Sequence, residues 1–369
     1  MADPHYVALA LVPGIGRSRL DTLLATFGTA ERVLGAAQNE LTEVPGISTA
    51  AATAIGNASL PRAEKMIART EAGGAVVLAP GDPRFPESLR SIPDAPMLLF
   101  ARGRLDILEQ PAIAIVGTRS HTRYGAEACR HLASGAARAG LVVASGMARG
   151  IDAIAHTAAL DASGGTVGVL GNGLGVIYPA ANRALYERVG KDGCLLTEYP
   201  PGDKPNAGSF PRRNRLVSGL SQVTLVIEAG ERSGALITVN CALQQGRDVL
   251  AVPGPITSPA SLGCNRLIQC GAKPALGLRD LLEEYGLEIP GAPGAKLPTD
   301  LTAAERAALD AIGGDDRHVD ELSRALGRSA SETLAVLTSL EIRGLVVQEP
   351  GKRFRKAGRL GEQEVEIGD

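Results

Sequence analysis

Residue types that can hold a phosphate gather at two turns of the sequence. The first set is Gly117, Thr118 and Arg119, and the second is Ser145, Gly146 and Arg149. Turns that lead into a helix offer free backbone N–H groups, and an arginine adds a guanidinium charge beside them. A glycine at 146 also lets a ligand approach the backbone closely. The two turns therefore predict a binding site for an anionic group such as phosphate.

A third set of candidate residues adds an aromatic ring and an amide. The segment Phe210–Arg215 contains three arginines in six residues and no acidic residue. Beside these charges, a phenyl ring can stack on a base, and an amide can donate to or accept from a base edge. The site residues predicted here are Phe210, Arg213, Asn214 and Arg215. Together with the two turns they indicate a track for a polyanion, and the alternative is a solvated helix face.

Alternating strand and helix patterns are expected to position these turns. Ala112–Val116 and Leu141–Ala144 are predicted strands, separated by a helical pattern that runs through Ala139. Further strands are predicted at Thr166–Leu170, Cys194–Thr197, Val223–Glu228 and Asp248–Val252. Such alternation indicates an α/β fold with a doubly wound, mostly parallel, Rossmann-like sheet over residues 111–286. The carboxyl ends of its strands form one edge, where the ligands of such sheets bind.

Two further segments are expected on the amino-terminal side. Val12–Gly16 recurs as Val44–Ser48, and each copy lies between apolar helical stretches. The repeat predicts two hairpins of helices in residues 1–60, similar to the helix-hairpin-helix (SAM-like) family, whose turns bind DNA phosphates. The alternative is a bundle used only for docking. Residues 61–110 are rich in proline, which predicts an extension without long helices, packed on the sheet, with a short edge strand at Met97–Arg102.

The carboxyl-terminal side is predicted to hold a linker at 287–298, a winged-helix domain at 299–358 and an acidic tail at 359–369. Helical patterns at Thr302–Ile312, Val319–Leu326 and Ser329–Arg343 precede a β hairpin. The usual ligand of a winged helix is duplex DNA. Docking of a protein is the alternative, and the basic segment Lys352–Lys356 is the best local argument for DNA.

Composition and missing motifs narrow the class of protein. The 369 residues are 44% hydrophobic and 21% charged with a net charge of −2, which indicates a soluble, multidomain chain without a general attraction for nucleic acid. No P-loop occurs, and Gly171–Gly175 lacks the third glycine of a dinucleotide fingerprint, so no cofactor is predicted. No apolar run is long enough to span a membrane. Five cysteines without C-x-x-C spacing favour reduced thiols and a cytoplasmic protein.

Several longer motifs occur in order between roughly residues 75 and 275. They are Gly117–Arg119 with Tyr124 and Gly125, Ser145–Asp152 with His156, Tyr178 and Pro179 with Asn182, Phe210–Arg215 with Gly219–Ser221, Glu228 with Ser233–Thr238, Gly246–Gly254 and Gly263–Ala272. Upstream, Asp82–Pro86 and Ile92–Pro96 are similar to a family lead-in. In this order the motifs resemble the DprA (Smf) family of DNA-processing proteins of natural transformation.

The resemblance implies a function, partners and a set of residues. A member of this family would protect incoming single-stranded DNA, load RecA recombinase onto it, form a homodimer through the central domain and catalyse no reaction. Gly117, Thr118 and Arg119 would hold one phosphate, Ser145 and Gly146 another, and Phe210 with Arg213, Asn214 and Arg215 the next nucleotide. Lys204 would be an extra cation, and Asn265 completes the implied set.

An enzyme on the same kind of sheet is the main alternative. Nucleotide phosphoribohydrolases place a glutamate after a glycine-rich turn, and Glu228 with Ser233 and Gly234 looks similar, although their P-G-G-x-G-T run is missing. Asp152 and His156 are spaced like an acid–base pair, but an acid in a first helical turn, favoured there by the helix dipole, beside a packed histidine is the preferred explanation. The third hypothesis for the function is a winged-helix protein that binds duplex DNA.

Overall fold

The computed structural model describes residues 2–287, 301–313, 316–343, 345–349 and 351–356. The chain divides into two compact units, one through Leu281 and one from Leu282 onward. The predicted linker beyond Leu287 and the predicted acidic tail lie outside the described residues. Among the described helices, none combines the length and the apolar character needed to cross a membrane.

The amino-terminal part of the first unit is helical. Its helices are α1 (Pro4–Ala10), α2 (Arg17–Phe27), α3 (Ala30–Gly35), α4 (Gln38–Glu43), α5 (Thr49–Gly56) and α6 (Leu60–Ala72). The repeated turns join α1 to α2 and α4 to α5, and they place Gly14 and Gly46 at φ values of 82° and 84°, which suit glycine alone. Ser48, which replaces the second glycine, caps α5 by accepting from the N–H of Ala51. The predicted pair of hairpins is confirmed.

The proline-rich segment departs from the prediction in two ways. α6 runs for 13 residues, because Pro61 lies in its first turn, where a missing N–H costs nothing. The next elements are β1 (Val76–Leu78), α7 (Glu87–Arg90) and β2 (Leu99–Gly103). β2 is not an edge strand, since β1 pairs with it and takes the edge. A strand as short as β1 gives little pattern to predict it from.

The sheet continues with β3 (Ala112–Val116), β4 (Val142–Ser145), β5 (Thr166–Val169), β6 (Cys194–Thr197), β7 (Val223–Val226), β8 (Asp248–Ala251) and β9 (Lys273–Pro274). The helices that follow α7 are α8 (Arg123–Arg138), α9 (Ile151–Asp161), α10 (Arg183–Asp192), α11 (Ser209–Gly219), α12 (Ala235–Gln244), α13 (Leu262–Gln269) and α14 (Leu278–Glu283), with 3₁₀ turns at Leu105–Glu109 and Ala180–Asn182. The predicted strands of the central domain are confirmed to within two residues at each end.

The strand order explains where a ligand can bind. It is β1-β2-β6-β5-β4-β3-β7-β8-β9, with β3 to β9 parallel and β1 and β2 antiparallel to their neighbours. β4 lies on one side of β3 and β7 on the other, so the winding direction reverses at β3. In doubly wound sheets, the crevice at the carboxyl ends of the strands at such a reversal is the usual binding site. The two predicted phosphate turns follow β3 and β4.

Apolar residues cover both faces of the sheet. Along β2, Leu99 and Ala101 join one buried cluster and Phe100 joins the other, as expected for alternating side chains. The cluster that holds Phe100 also contains Leu9 and Leu20 from the amino-terminal helices, so bundle and sheet share one apolar core. The described cysteines form no disulfide; Cys129, Cys194 and Cys264 are buried, whereas Cys241 is half-buried and Cys270 exposed.

The second unit is a winged helix, as predicted. Its elements are α15 (Ala303–Ile312), β10 (Arg317–His318), α16 (Val319–Leu326), α17 (Ala330–Ile342), β11 (Val346–Glu349) and β12 (Arg353–Lys356), and the strands pair in the order β10-β12-β11. Two cations of the basic wing are paired: Arg353 contacts Asp316, and Arg355 contacts Glu349 at 2.9 Å. These pairs reduce the charge that the wing offers to DNA.

A buried carboxylate, Glu305, joins two helices of this unit. It accepts from the N–H and hydroxyl of Thr302 at 2.8 and 2.9 Å, which closes a capping box at the start of α15. It also accepts from the hydroxyl of Ser339 on α17 at 2.7 Å. These bonds to the charged form, that of the Thr302 N–H first, lower the pKa of Glu305 from 4.5 to about 2.

We expect Glu305→Gln to remove part of the acid sensitivity of the winged helix. A carboxyl whose pKa is depressed by folding stabilises the fold above its unfolded pKa, and this stabilisation is lost as the pH falls from 4.5 toward about 2. Acid titration of the full-length chain, followed by amide hydrogen exchange in α15, measures this loss. The control is Asp310→Asn on the exposed face of α15. Identical acid profiles for the parent chain and Glu305→Gln would contradict the prediction.

Candidate nucleic-acid interface

Two adjoining clefts open at the carboxyl edge of the sheet. The aromatic cleft has a volume of about 330 Å³ and is lined by Arg149, Tyr178 and Pro179 with residues of the β4 and β5 ends. The α12 cleft has a volume of about 540 Å³ and reaches from the turn after β3 to the start of α12. The residues that line both are Arg119, Gly146, Ala148, Phe210 and Arg213. The predicted phosphate turns and the Phe210 segment are therefore brought together.

Arg119 and Arg149 carry charge at this edge that the protein leaves unpaired. Both side chains are exposed, and neither forms an ion pair or a side-chain hydrogen bond with the part of the chain that the structure describes. Next to Arg119, the N–H of Thr118 donates to the carbonyl of Glu228 at 2.7 Å, so it is committed to the fold. The side chains, more than the backbone of this turn, are available to an anion.

Two aromatic rings form one wall of the aromatic cleft. The rings of Phe210 and Tyr178 lie 5.3 Å apart between centroids and at 34° to one another, and Tyr178 is 50% exposed. Gly171 lies directly beneath, since a Cβ there would come within 2.9 Å of the Phe210 ring. An exposed ring that packs on a half-buried one next to cations suits a stacked base followed by its phosphates.

Arg213 is buried behind these rings. Its guanidinium group donates to the carbonyl oxygens of Gly146 and Val169, and its side chain is 5% exposed. Gly146 must be a glycine for this contact, because a Cβ there would lie 2.5 Å from Cζ of Arg213. The sequence analysis explained this glycine by the close approach of a ligand. In the structure, the space beside Gly146 is occupied by the side chain of Arg213.

Acidic and imidazole groups around Arg213 are buried as well. Burial raises the pKa of Asp152, an effect that the nearby Arg213 charge opposes. Burial and the Arg213 charge lower the pKa of His156 to about 3, so the ring is neutral, and its Nδ1 lies 2.7 Å from the hydroxyl of Thr166. Ser145 is equally committed, since its hydroxyl donates to the carbonyl of Ile115 at 2.6 Å. The geometry favours a packed, structural His156 over an acid–base pair.

The expectation that an external anion binds the start of α8 is not met, because a carboxylate of the protein occupies that place. Glu228 accepts from the N–H of Thr122 at 2.8 Å and from its hydroxyl at 2.7 Å, and it is 2% exposed. Gly125 makes room for it, since a Cβ there would lie 2.5 Å from Oε2. The residue that resembled a catalytic glutamate thus caps a helix and lines neither cleft.

Four predicted site residues line neither cleft, and one of them is the fully buried Ser145. Arg215 donates to Glu198 at 2.5 Å and to Asp94 at 2.9 Å, and it is 8% exposed. Asn265 bonds through its amide to both backbone groups of Gly254. Lys204 is exposed in the loop before α11 and lines neither cleft. By contrast Gly117, Thr118 and Asn214 line the α12 cleft.

The cleft also contains residues that the sequence-based site did not include. Tyr178 lines the aromatic cleft, and Arg232, Ser233, Gly234 and Thr238 line the α12 cleft. Each of these residues belongs to or adjoins a motif that carried the family resemblance, so the motifs could have identified them as candidate site residues. The sequence does not reveal the strand order, and it is this order that places the ends of β3 and β7 side by side.

The topology places this chain among the doubly wound α/β proteins with a cleft at the reversal of winding. A family model described as DNA recombination-mediator protein A matches residues 76–286, and one described as the DprA winged helix domain matches residues 292–352. The chain therefore belongs to the DNA recombination-mediator protein A (DprA) family.

Individual relatives agree with this assignment. Protein Smf of Synechocystis is 33% identical over 390 residues and covers 95% of this chain and 98% of its own length. The DNA processing protein DprA of Streptococcus pneumoniae is 45% identical over 204 residues, which cover 55% of this chain and 72% of the relative. Protein Smf of Escherichia coli is 38% identical over 291 residues, which cover 76% and 78%.

Two solved structures share the fold. The X-ray structure of DprA from S. pneumoniae superposes with a TM-score of 0.69 at 34% identity, over 78% of this chain and 99% of that one. A structure of DprA from Helicobacter pylori, described for its single-stranded DNA binding mode, gives a TM-score of 0.52 at 29% identity over 57% and 95%.

We expect Gly146→Ala to destabilise the first unit by about 3 kcal/mol. The added Cβ displaces the Arg213 guanidinium from its carbonyl partners and leaves a buried charge uncompensated. Urea unfolding measures the free energy of unfolding, and the control is Gly81→Ala, where a Cβ would meet nothing within 4 Å. Equal stability of the two variants would show that Arg213 moves aside at little cost.

Proposed function

We propose that this chain binds single-stranded DNA in the aromatic and α12 clefts. The observation that carries the proposal is the guanidinium of Arg119, which has no partner among the described residues, in the same cleft as the exposed ring of Tyr178 and the half-buried ring of Phe210. A single strand presents both phosphates and bases, and the aromatic cleft is lined by both cations and rings. The H. pylori relative, described for its single-stranded DNA binding mode, supports the same ligand.

The chemistry of the clefts favours a single strand over a duplex. Rings can stack only on bases that are unpaired and turned toward the protein, whereas guanidinium groups bind any phosphate. Asn214, which also lines the α12 cleft, offers an amide to a base edge. Recognition is therefore expected to depend little on base sequence and strongly on salt.

Membership of the family supports a proposal for the binding partners of this chain. The matching family model is described as a recombination mediator, which supports delivery of the bound, protected strand to the RecA recombinase. We include a homodimer through the central domain, a cytoplasmic location and duplex DNA at the winged helix in the proposal. For the last, the ion pairs of Arg353 and Arg355 leave Lys352 and Lys356 as the wing cations to test.

We expect Arg119→Ala to weaken binding of labelled oligo(dT) by about 1.5–3 kcal/mol, the strength of a charge-assisted contact with a phosphate. Fluorescence titration of the full-length variant measures the change. Arg123→Ala is the matched control, because it removes an equal charge from an exposed arginine nearby that lines neither cleft. The same loss in both variants would mean that only net charge matters.

The salt dependence tests the same contact independently. Each phosphate neutralised on a single strand contributes about −0.7 to the slope of log K against log salt. Contacts from Arg119, Arg149 and Arg232 predict a slope of about −2 for the parent chain and a slope shallower by about 0.7 for Arg119→Ala. A flat response in the parent chain would contradict the proposal.

A chain that ends at Leu287 should keep most of its affinity for a single strand. The clefts lie wholly in the first unit, so loss of the winged helix should cost at most about 1–2 kcal/mol, or roughly 5- to 30-fold, through lost avidity. The amino-terminal helices are retained because they share an apolar core with the sheet. Titration with oligo(dT) beside the full-length chain is the measurement. Complete loss of binding would place the strand on the winged helix.

A further inference from the structure

The part of the α12 cleft lined by the start of α12 has features that the strand contacts proposed above do not use. The loop Gly230–Gly234 leads into α12, a helix of 10 residues. Ser233 accepts from the N–H of Ala235 at 3.3 Å, whereas the N–H of Gly234 has no hydrogen-bond partner within the described ranges. A Cβ at Gly234 would meet nothing within 4 Å, so this helix start faces open space. A helix start of this kind favours an anion but does not by itself define a site.

Thr238 is the second, independent feature. It lines the α12 cleft, yet it is only 2% exposed, and its hydroxyl makes no hydrogen bond to the described part of the chain. A threonine inside a helix commonly bonds the carbonyl four residues before it, and this one does not. Side chains four residues apart lie on one helix face and tilt toward the amino end, so this hydroxyl lies below Gly234. A hydroxyl that lines a cleft and has no partner in the described chain is available to donate to a ligand.

Charge around this pair is positive. Arg232 lines the same cleft, is exposed and forms no ion pair with described residues, and Arg119 and Arg213 line this cleft as well. The acidic lining residue is Asp152, which is 7% exposed and adjoins Arg213. Glu231, next in sequence to Arg232, lines neither cleft.

We propose that the Gly234 N–H, the Thr238 hydroxyl and the Arg232 guanidinium form a phosphate subsite. Its ligand is a phosphate group of a nucleotide, held as an oxyanion by one backbone donor, one hydroxyl and one cation. The inference rests on the proposed function in assuming that the group belongs to a DNA strand. Two sources share this chemistry: an internal phosphodiester of a strand that continues from the aromatic cleft, and the phosphate monoester at the end of a strand.

The test compares Thr238→Val with Thr224→Val in the full-length chain. Both substitutions remove a threonine hydroxyl that has no hydrogen-bond partner among the described residues, and Thr224 on β7, whose hydroxyl is fully buried, lines neither cleft. The probes are oligo(dT) with a 5′-phosphate, the same oligo(dT) with a 5′-hydroxyl, and inorganic phosphate alone. We expect Thr238→Val to lower affinity for a strand about tenfold, the value of one hydrogen bond to a charged group, and Thr224→Val to bind as the parent does.

The two oligonucleotides identify the source of the phosphate. An equal loss for both assigns the subsite to an internal phosphodiester, and a loss confined to the 5′-phosphorylated strand assigns it to a terminal monoester. Parent-like binding of both strands and of inorganic phosphate by Thr238→Val overturns the subsite.

Arg119→Ala separates this inference from the proposed function. Weak binding by Arg119→Ala with parent-like binding by Thr238→Val means that the strand site stands and the subsite is wrong. If the parent chain binds no strand, the proposed function fails, and inorganic phosphate then decides the subsite alone. Binding of phosphate that Thr238→Val weakens supports it, and binding that is absent or unchanged overturns it.

Discussion

The burial of one guanidinium group organises the candidate site. Arg213 leaves the solvent and donates to carbonyl oxygens beyond β4 and at the end of β5, which ties α11 to the carboxyl edge of the sheet. Removing a cation from water costs several kcal/mol unless hydrogen bonds and opposite charge compensate it, and here two carbonyls and the nearby Asp152 do so. Gly146 follows from this arrangement, because a larger residue would occupy the space of the guanidinium. The aromatic rings and the exposed arginines of the clefts are arranged around this buried guanidinium group.

Glu228 serves the same edge with the opposite charge. Glu228 follows β7, and its carboxylate accepts from the N–H and hydroxyl of Thr122, the N-cap residue of α8, which lies 106 positions away in the sequence. A carboxylate of the protein therefore occupies the start of α8. The groups at this edge that remain available to an external anion are the exposed arginine side chains and the start of α12.

The amino-terminal helices contribute to the site indirectly. Met147, Leu170 and Leu174, which follow β4 and β5, belong to the apolar cluster that also contains the bundle. The backbone beneath the aromatic cleft is thus supported from the opposite side by α1 to α6. This structural role of the helices is compatible with either role predicted for the hairpin turns, docking or DNA binding.

The sequence by itself determined the local elements, the α/β class and the turns that bear the site, because period-two and helical patterns, glycines and caps act over a few residues. It also identified the family, since long motifs in order carry that information. Only the tertiary structure decided which motif residues face the clefts. Arg213 and Arg215 are two residues apart in the motif, and at 3.6 residues per helical turn this spacing puts them on opposite faces of α11, so one supports the cleft and the other pairs with Glu198. The Glu228 cap and the Thr238 hydroxyl depended on strand order, because β3 and β7 are neighbours only in space.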